Sequence, residues 1–588
     1  MNIRKLLDWR KLLIYSHRWL GIGITAMFLI WTVSGVVLMY YGHPQITTGE
    51  RLLRLEPIDF STATITPAAA AAKAGLQPNR APYRVRLSMY DGRPVYRLTR
   101  VSIGNWSAVY ADTGKVLPPM GREEALKWMK QFAPEYASTM TYDGYLESPD
   151  EYTRIPTLAG YVPLHRIAMN DAAGTEYYVS EKSSDIVQKT DRRGRILAIS
   201  GYVLHNLFFF RQRTWWTPLL DFIAWTAMLM AASGVVLGIW RIALKPRFRH
   251  KGVGSYTPYS SWMKWHHYAG LIFGLFSISW ILSGMIPIST FPIPGWTDVS
   301  KRVESNGEGF IMGNPTISPR STMTKEMARA ITGGPLNLQS LRIEGLRNAI
   351  GQIQQSFAPK EVELMQFRGE PYFIAYQPPT TKDEAEHWTS NNAINSVNLP
   401  QQNPHLFVSI RHPENGVMTS FNKEVMEQAS REAMPNVPVI ASEWLTDYDN
   451  YYHQTTTSFE LGRHKPAYVL PVLRVRYSDE NQTWLYFTPS LGQMVKFDKR
   501  DRANRWVYYG LHVMDWPALF NRRPLWDIVT IALLAGLAAI SITTLLPAFR
   551  RLKRHAVHGW KWAFPGKRVR TTPSPGWALS DSDRFSGD

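Results

Sequence analysis

The chain contains no cysteine among its 588 residues. Without cysteine there can be no disulfide, thiolate metal site or iron–sulfur cluster, and no covalent c-type haem, which needs a C-x-x-C-H motif. Any metal or haem must therefore be bound by histidine, methionine, tyrosine or carboxylate side chains.

The sequence also lacks the common signatures of hydrolases and nucleotide-dependent enzymes. There is no H-E-x-x-H, no G-x-S-x-G and no P-loop. No convincing Gly-rich dinucleotide motif is present either. These absences turn attention to the apolar segments.

Four apolar segments are long enough to cross a bilayer, and they cover residues 19–41, 215–240, 268–289 and 525–547. The first has no small-residue cleavage site and is too long for a signal peptide, so we interpret it as a retained span. Mean hydropathy is only −0.22, because long polar segments separate the first span from the second and the third from the fourth. We therefore expect a membrane protein with two large parts outside the lipid.

Net charge is +19, and its distribution predicts the orientation. Residues 1–18, 241–267 and 549–588 carry +16 of it, and all three flank the spans. The positive-inside rule then places both termini and the 241–267 loop in the cytoplasm. Nucleic acid is not an expected partner, because the basic residues lie at membrane ends and not on one binding face. A large outside part without disulfides fits a bacterium better than a eukaryotic secretory pathway.

The first span is repeated in the third. Setting residues 15–41 against 264–289 without a gap aligns His17 with His266, Gly21 with Gly270, Trp31 with Trp280, and Ser34-Gly35 with Ser283-Gly284. On a helix these positions share one face. Such a stripe is typical either of tight helix packing with an interfacial histidine, or of a haem site in which glycine makes room for the ring.

A second repeat sets residues 161–205 against 469–512 with a one-residue gap, and it aligns His205 with His512. The whole chain then reads as a tandem duplication in which each half starts inside. We predict a parallel 2+2 repeat about an axis along the membrane normal. The fourth span departs from this pattern, because it lacks the Ser-Gly that the other three contain.

The predicted organisation is an α-helical membrane protein with four transmembrane helices and two α+β domains outside. Within the first domain, helices are expected over 67–76 and 121–132, with strands over 93–100 and 105–117 between them. The predicted boundaries are 1–41 for the N-terminus and first span, 42–214 for the first outside domain, 215–240 for the second span, 241–267 for the basic loop, 268–289 for the third span, 290–524 for the second outside domain, 525–547 for the fourth span, and 548–588 for a basic, partly disordered cytoplasmic tail.

Several motifs together resemble the PepSY-associated transmembrane helix family. They recur in order over about residues 15–550 and read HRWLG at 17–21, WHHYAG at 265–270, DYDNYY at 447–452, PVLRVRY at 471–477, GLH at 510–512 and RPLWDI at 523–528. The resemblance implies periplasmic domains of the PepSY type. Some members look like inner-membrane ferric-siderophore reductases that bind b-type haem through histidine pairs.

The histidines sort by topology into two expected pairs. His17 and His266 lie at the cytoplasmic ends of spans one and three, whereas His205 and His512 lie on the outer side, just before spans two and four. Because the duplication relates the members of each pair, we predict two bis-histidine haems b, one near each membrane face. His43 is the main rival as an outer ligand, and His267 competes with His266.

The expected function is an oxidoreductase resembling ferric-chelate reductases, with a ferric siderophore as substrate and a quinol or a cytoplasmic reductase as donor. The main alternative is a non-redox protein whose PepSY-like domains bind a peptide or protease while the spans act as anchors. Paired histidines at each face favour the redox function, because polar groups near lipid are costly without a use. Transport is a third possibility.

Trp31 and Trp280 are expected part-way between the two histidine levels.

Overall fold

In the computed structural model, the described residues are 9–76, 84–99, 106–153, 158, 160–210, 213–250, 252–285, 324–387, 404–452, 469–520, 522 and 524–563. The end of the third predicted span (286–289) and the predicted disordered tail (565–588) lie outside these residues.

The helices, in chain order, are α1 Trp9–Tyr40, α2 Thr48–Arg54, α3 Pro67–Lys73, α4 Arg122–Phe132, α5 Arg192–Ala198, α6 Trp216–Arg241, α7 Ser261–Met285, α8 Lys325–Thr332, α9 Ile343–Gln354, α10 Lys382–His387, α11 Lys423–Ala433, α12 Lys499–Asn504, α13 Pro517–Phe520 and α14 Leu525–Ala563.

The strands are β1 Arg84–Tyr90, β2 Arg93–Thr99, β3 Trp106–Tyr110, β4 Thr141–Leu146, β5 Leu164–Ala168, β6 Glu176–Ser180, β7 Ile186–Thr190, β8 Phe248–His250, β9 Val253–Ser255, β10 Glu361–Phe367, β11 Glu370–Tyr376, β12 His405–Ser409, β13 Val417–Met418, β14 Val439–Leu445, β15 Val472–Tyr477, β16 Trp484–Thr488 and β17 Gln493–Phe497.

Four helices, α1, α6, α7 and α14, are long and apolar enough to cross a membrane, as predicted. α1 already begins at Trp9, and α14 continues through Pro547 to Ala563. α1 packs against α6 and α14, and α7 packs against the same two helices. The four therefore form a ring in which α1 and α7 face each other across the bundle.

Small residues bring these helices close together. Ala224, Ala227 and Ala231 of α6 are buried against apolar side chains of the neighbouring helices. A methyl group on Gly536 of α14 would lie 2.5 Å from ring atoms of Phe273 on α7. Small residues on such faces let apolar helices approach closely.

All strand pairs given for the described residues are antiparallel, and the largest sheet joins distant parts of the chain. Its order is β13-β12-β11-β10-β1-β2-β3. At its centre β1 pairs with β10, with Leu87 opposite Val362. The segments before and after the central spans thus share one seven-stranded sheet.

Buried ion pairs hold this junction together. Glu361 of β10 accepts two hydrogen bonds from the guanidinium of Arg51, both 2.8 Å long. Arg86 of β1 pairs with Glu361 at 3.2 Å and with Asp185 at 2.5 Å. All four side chains are less than a tenth exposed. Charges buried this deeply depend on one another, because an unpaired buried charge is very costly.

Two four-stranded sheets have matching orders, β4-β5-β6-β7 and β14-β15-β16-β17. Each is followed by a short helix with an aspartate N-cap. Asp191 accepts a hydrogen bond from the backbone N–H of Gly194 at the start of α5, and Asp498 accepts from Arg500 and Asp501 at the start of α12. Side-chain oxygens at this position satisfy N–H groups that have no partner inside the helix.

Candidate functional site: two histidine pairs

His17 and His266 face each other across the bundle at one end of it. Their ring centroids lie 6.2 Å apart, with the ring planes inclined by 40°. His17 is on α1 and His266 is on α7, the two helices that lie opposite each other. We call these two residues the inner pair.

His205 and His512 meet at the other end of the bundle. Their ring centroids lie 6.3 Å apart, inclined by 76°. Each histidine follows a π-helical turn, Ile199–Val203 after α5 and Arg505–Gly510 after α12. π-helical turns often occur at functional sites, where they redirect a side chain. We call His205 and His512 the outer pair.

The Nδ1 atom of every one of these histidines faces oxygen atoms of a neighbouring long helix. The contacts are His17 with Met230 O (2.9 Å) and Ser233 Oγ (3.3 Å), His266 with Ile540 O (3.2 Å) and Thr544 Oγ1 (2.9 Å), His512 with Trp280 O (3.0 Å) and Ser283 Oγ (3.4 Å), and His205 with Ser34 Oγ (2.9 Å). His205 also hydrogen-bonds the backbone of Trp31.

These contacts define the tautomer. A carbonyl oxygen can only accept a hydrogen bond, so the proton of a neutral imidazole belongs on Nδ1 at these sites. In this tautomer Nε2 carries the lone pair, as a metal ligand requires. Hydrogen bonding of the second ring nitrogen is the usual way in which proteins orient a ligating histidine.

In two of the three Ser-Gly dipeptides the glycine lies directly against a histidine ring. A methyl group on Gly234 would lie 2.6 Å from His17 Cε1, and one on Gly284 would lie 2.6 Å from His512 Cε1. Real Cβ atoms do not approach other atoms this closely, so glycine is required for the present ring positions. The helix α14 lacks Ser-Gly, and there Thr544 supplies the hydroxyl instead.

A cavity opens between the helices at the outer pair. It holds about 1350 Å³ of space without protein atoms, part of it open to solvent, and its walls are mainly apolar and aromatic. Two buried polar atoms of residues in this wall, Trp280 Nε1 and Thr530 Oγ1, have no hydrogen-bond partner among the described residues. Buried polar groups are almost always hydrogen-bonded, so a missing partner points to a ligand.

The residues fit a haem at each level. A metal midway between two imidazoles, ~2.0–2.1 Å from each nitrogen, would hold the ring centroids roughly 6 Å apart. The separations of 6.2 and 6.3 Å match this value. Near the inner pair, a methyl group on Gly270 would meet no atom within 4 Å, and one on Gly21 only Met230 Sδ at 3.9 Å. These glycines leave open space beside the histidines, as the haem interpretation of the stripe expects.

The rival histidines have other partners. His43 is buried, with Nδ1 3.0 Å from Pro44 O and Nε2 3.2 Å from Glu151 O. His267 is buried between Thr257 Oγ1 at 2.7 Å and Gly238 O at 2.9 Å. In both residues the two ring nitrogens are already engaged by the protein.

The tryptophans lie at the outer level and not part-way between the levels. Trp31 Nε1 donates to the backbone oxygen of His205 at 2.9 Å, and Trp280 provides the carbonyl that faces His512. The prediction of an intermediate position was therefore wrong. The reason is that His205 contacts Ser34 of α1, only three residues beyond Trp31, so it lies beside this helix and not beyond its end.

Sequence reasoning also missed the hydroxyl and carbonyl groups that hold the rings. The available signal was the Ser-Gly dipeptide, which stood out as a repeat but was interpreted only as small residues on a helix stripe. The carbonyl of Met230 or Ile540 has no signature in a sequence, because every residue carries one.

A scan against protein-family models finds no match for this chain, and a search of curated proteins finds no relative. The resemblance to the PepSY-associated family therefore stays a prediction. In the described part of the chain, no group of three or more histidine, aspartate or glutamate side chains could hold a metal ion. Each of the two pairs supplies only two histidine ligands, which suits a metal whose other ligands come from a macrocycle.

Proposed function

We propose that this protein is a b-type haem protein of the bacterial inner membrane that passes electrons outward to a ferric chelate such as a ferric siderophore. The observation that carries the proposal is the presence of two histidine pairs at haem-ligating separation, one at each end of a four-helix bundle. Two histidines would hold each haem, which suits electron transfer over oxygen chemistry.

The ends of the bundle support a transmembrane position. Exposed aromatic side chains surround both ends, as in the interfacial belts of membrane proteins. Near the inner pair these are Trp9, Trp19, Trp240, Trp262 and Trp265, and near the outer pair Tyr40, Tyr41, Phe209, Trp215 and Trp516. The basic segments adjoin the inner belt, so we propose that this end and both termini are cytoplasmic.

The internal similarity of the two halves supports the proposed 2+2 repeat. In each half the first long helix supports the outer histidine and the second supports the inner one: Ser34 of α1 contacts His205, and Ser233 of α6 contacts His17. The second half has the same pattern, with Ser283 at His512 and Thr544 at His266. PepSY-type domains outside the membrane are the fold we propose for the sheets.

The protein's own residues hold and orient the cofactors. A haem at each level supplies one-electron redox chemistry. Seventeen positions separate His17 from Ser34, so the levels are roughly 25 Å apart at ~1.5 Å per residue. This span is most of the ~30 Å hydrocarbon core. Each electron delivered outside converts one Fe(III) chelate to Fe(II), a softer ion that hard oxygen ligands hold less tightly. A quinol or a cytoplasmic reductase is the proposed donor.

The test is a visible spectrum of the detergent-purified protein, oxidised and then reduced with dithionite. We expect a Soret shift, sharp α and β bands, and two haems per chain. His17→Ala and His512→Ala should each remove one haem and leave the other. His43→Gln and His267→Gln are the matched controls and should retain both, because neither ring faces a pair.

A colourless protein from haem-replete cells would contradict the proposal and favour the membrane-anchored peptide- or protease-binding alternative. If haem is bound, addition of a ferric hydroxamate chelate to the reduced protein should reoxidise it. A reduced spectrum that persists after this addition would retain the haem but exclude that class of substrate.

A further inference from the structure

The hydroxyl groups beside the four histidines differ in their distance from Nδ1. In each pair one hydroxyl lies closer than the other. At the outer pair the distances are 2.9 Å from Ser34 to His205 and 3.4 Å from Ser283 to His512, and at the inner pair 2.9 Å from Thr544 to His266 and 3.3 Å from Ser233 to His17.

The close hydroxyls act as acceptors toward the imidazoles. Ser34 donates its own proton to Ile30 O at 2.7 Å, and Thr544 donates to Ile540 O at 2.8 Å. A hydroxyl has one proton and two lone pairs. With the proton directed at the helix backbone, a lone pair is left to accept from the Nδ1–H of the histidine.

The fourth long helix, α14, shows that the hydroxyl contact does not depend on a neighbouring glycine. α14 has no Ser-Gly. Its Thr543 and Thr544 follow Ile540, whose carbonyl faces His266, as Ser233 and Gly234 follow Met230, whose carbonyl faces His17. A threonine therefore stands where α6 has glycine. That threonine, Thr544, still brings a hydroxyl to 2.9 Å from its histidine, closer than Thr543 at 3.5 Å. The hydroxyl contact is present where the small residue is not, so close packing alone does not account for it.

A hydrogen bond that accepts from Nδ1–H makes the imidazole a more basic ligand. A more basic axial ligand stabilises ferric over ferrous iron, and second-shell hydrogen bonding is one of the levers that set the potential of a haem. The closest hydroxyl at each level should therefore have the largest effect on the redox potential of the haem there.

We propose that Ser34 and Thr544 are positioning residues that lower the redox potential at the outer and the inner level respectively, and that Ser283 and Ser233 contribute less. This inference rests on the proposed function. It assigns a different residue to each level, so the two potentials can be changed separately.

The experiment is spectroelectrochemical titration of the purified protein, with the two haems assigned through His17→Ala and His512→Ala. We expect Ser34→Ala to raise only the outer potential and Thr544→Val to raise only the inner one. Ser283→Ala and Ser233→Ala are the matched controls and should give smaller shifts. Ser34→Thr and Thr544→Ser retain the hydroxyl and should titrate like the wild type.

Ser34→Gly and Thr544→Ala provide second substitutions without the hydroxyl, should either first variant fail to purify. A wild-type protein without haem would overturn both this inference and the proposed function. Two bound haems whose potentials move no further in Ser34→Ala and Thr544→Val than in the controls would overturn this inference alone.

Discussion

At the scale of single residues, glycine and serine have separate tasks beside the histidines. The serine oxygen contacts Nδ1, whereas the following glycine leaves the space that the ring occupies. This division is clearest on α6. Ser233 Oγ lies 3.3 Å from His17 Nδ1, and the His17 ring occupies the space that a Cβ on Gly234 would need. Gly35 differs from Gly234, because a methyl group there would meet only Leu534 Cδ2 at 3.7 Å.

For the haems of the proposed function, this difference predicts a residue-specific loss. Gly234→Ala should displace His17 and remove the inner haem, because the new methyl would lie 2.6 Å from the ring. Gly284→Ala should remove the outer haem in the same way through His512. The measurement is haem per chain by pyridine haemochrome assay, with an expected fall from two to about one.

Gly35→Ala is the control and should bind both haems, since its methyl would make an ordinary van der Waals contact. Full haem content in Gly234→Ala would show that His17 can shift without losing its ligand position, and would contradict the assigned role of this glycine.

The histidine pairs were open to prediction because the predicted duplication relates their members. Aligning the proposed repeats puts His17 with His266 and His205 with His512. A twofold axis between the halves would place the two members of each pair opposite each other. The same reasoning could not find Met230, Ile540 or Thr544. These residues lie on other helices, and their contribution depends on the rotation of those helices about their own axes.

At the scale of elements, the contact between α7 and α14 depends on one glycine. Phe273 of α7 packs onto the backbone of α14 at Gly536, where a methyl group would lie 2.5 Å from the ring. The inner pair depends on this contact, since His266 is on α7 and its Nδ1 partners are on α14.

Gly536→Ala should therefore destabilise the bundle by about 1–3 kcal/mol, the usual cost of overpacking. Thermal unfolding in detergent would measure it. Gly23→Ala on α1 is the control, because a methyl there would meet no atom within 4 Å. Adding Phe273→Ala to Gly536→Ala should recover stability, since residues in contact are not additive. Failure of this second substitution to compensate would show that the contact is not the cause.

Some helices and strands could be predicted from the sequence and others could not. The four spans were predictable because length and apolar composition alone define them. In the first outside domain, the expected strands 93–100 and 105–117 correspond to β2 and β3, but β1 was missed. Its alternation of polar and apolar residues, from Arg84 to Tyr90, is itself a strand signal that our prediction did not use. The burial of Arg84 and Arg86 could not be predicted locally, because their partners Glu363 and Glu361 lie on β10, about 275 residues away.

At the scale of the whole molecule, the segment between α1 and α6 shares one sheet with the segment between α7 and α14. β1 from the first segment pairs with β10 from the second, and Arg51, Arg86, Asp185 and Glu361 are buried where they meet. The two outer histidines follow these two segments in the chain. The shared sheet therefore connects the two parts of the chain from which His205 and His512 come.

The buried carboxylate makes this junction sensitive to acid. Burial by itself would raise the pKa of Glu361, but Arg51 and Arg86 outweigh burial and lower the pKa to about 2 from its ordinary value of 4.5. A depressed pKa contributes stability that is fully present above pH 4.5 and is lost as the pH falls toward 2. At ~1.4 kcal/mol per pKa unit the contribution is roughly 3 kcal/mol.

We expect Glu361→Gln to lower the free energy of unfolding at pH 7 by about 3–5 kcal/mol, because it leaves Arg51 and Arg86 buried with too little negative charge. The variant should also lose less stability than the wild type between pH 4.5 and pH 3. Denaturant unfolding followed by tryptophan fluorescence at both pH values measures the two effects.

Glu432→Gln breaks an exposed pair with Arg368 and is the control, with an expected change of about 0–1 kcal/mol. Equal acid sensitivity in Glu361→Gln and the wild type would mean that other carboxylates govern the junction. If the junction fixes the outer pair, Glu361→Gln should also disturb the spectrum of the outer haem before that of the inner one.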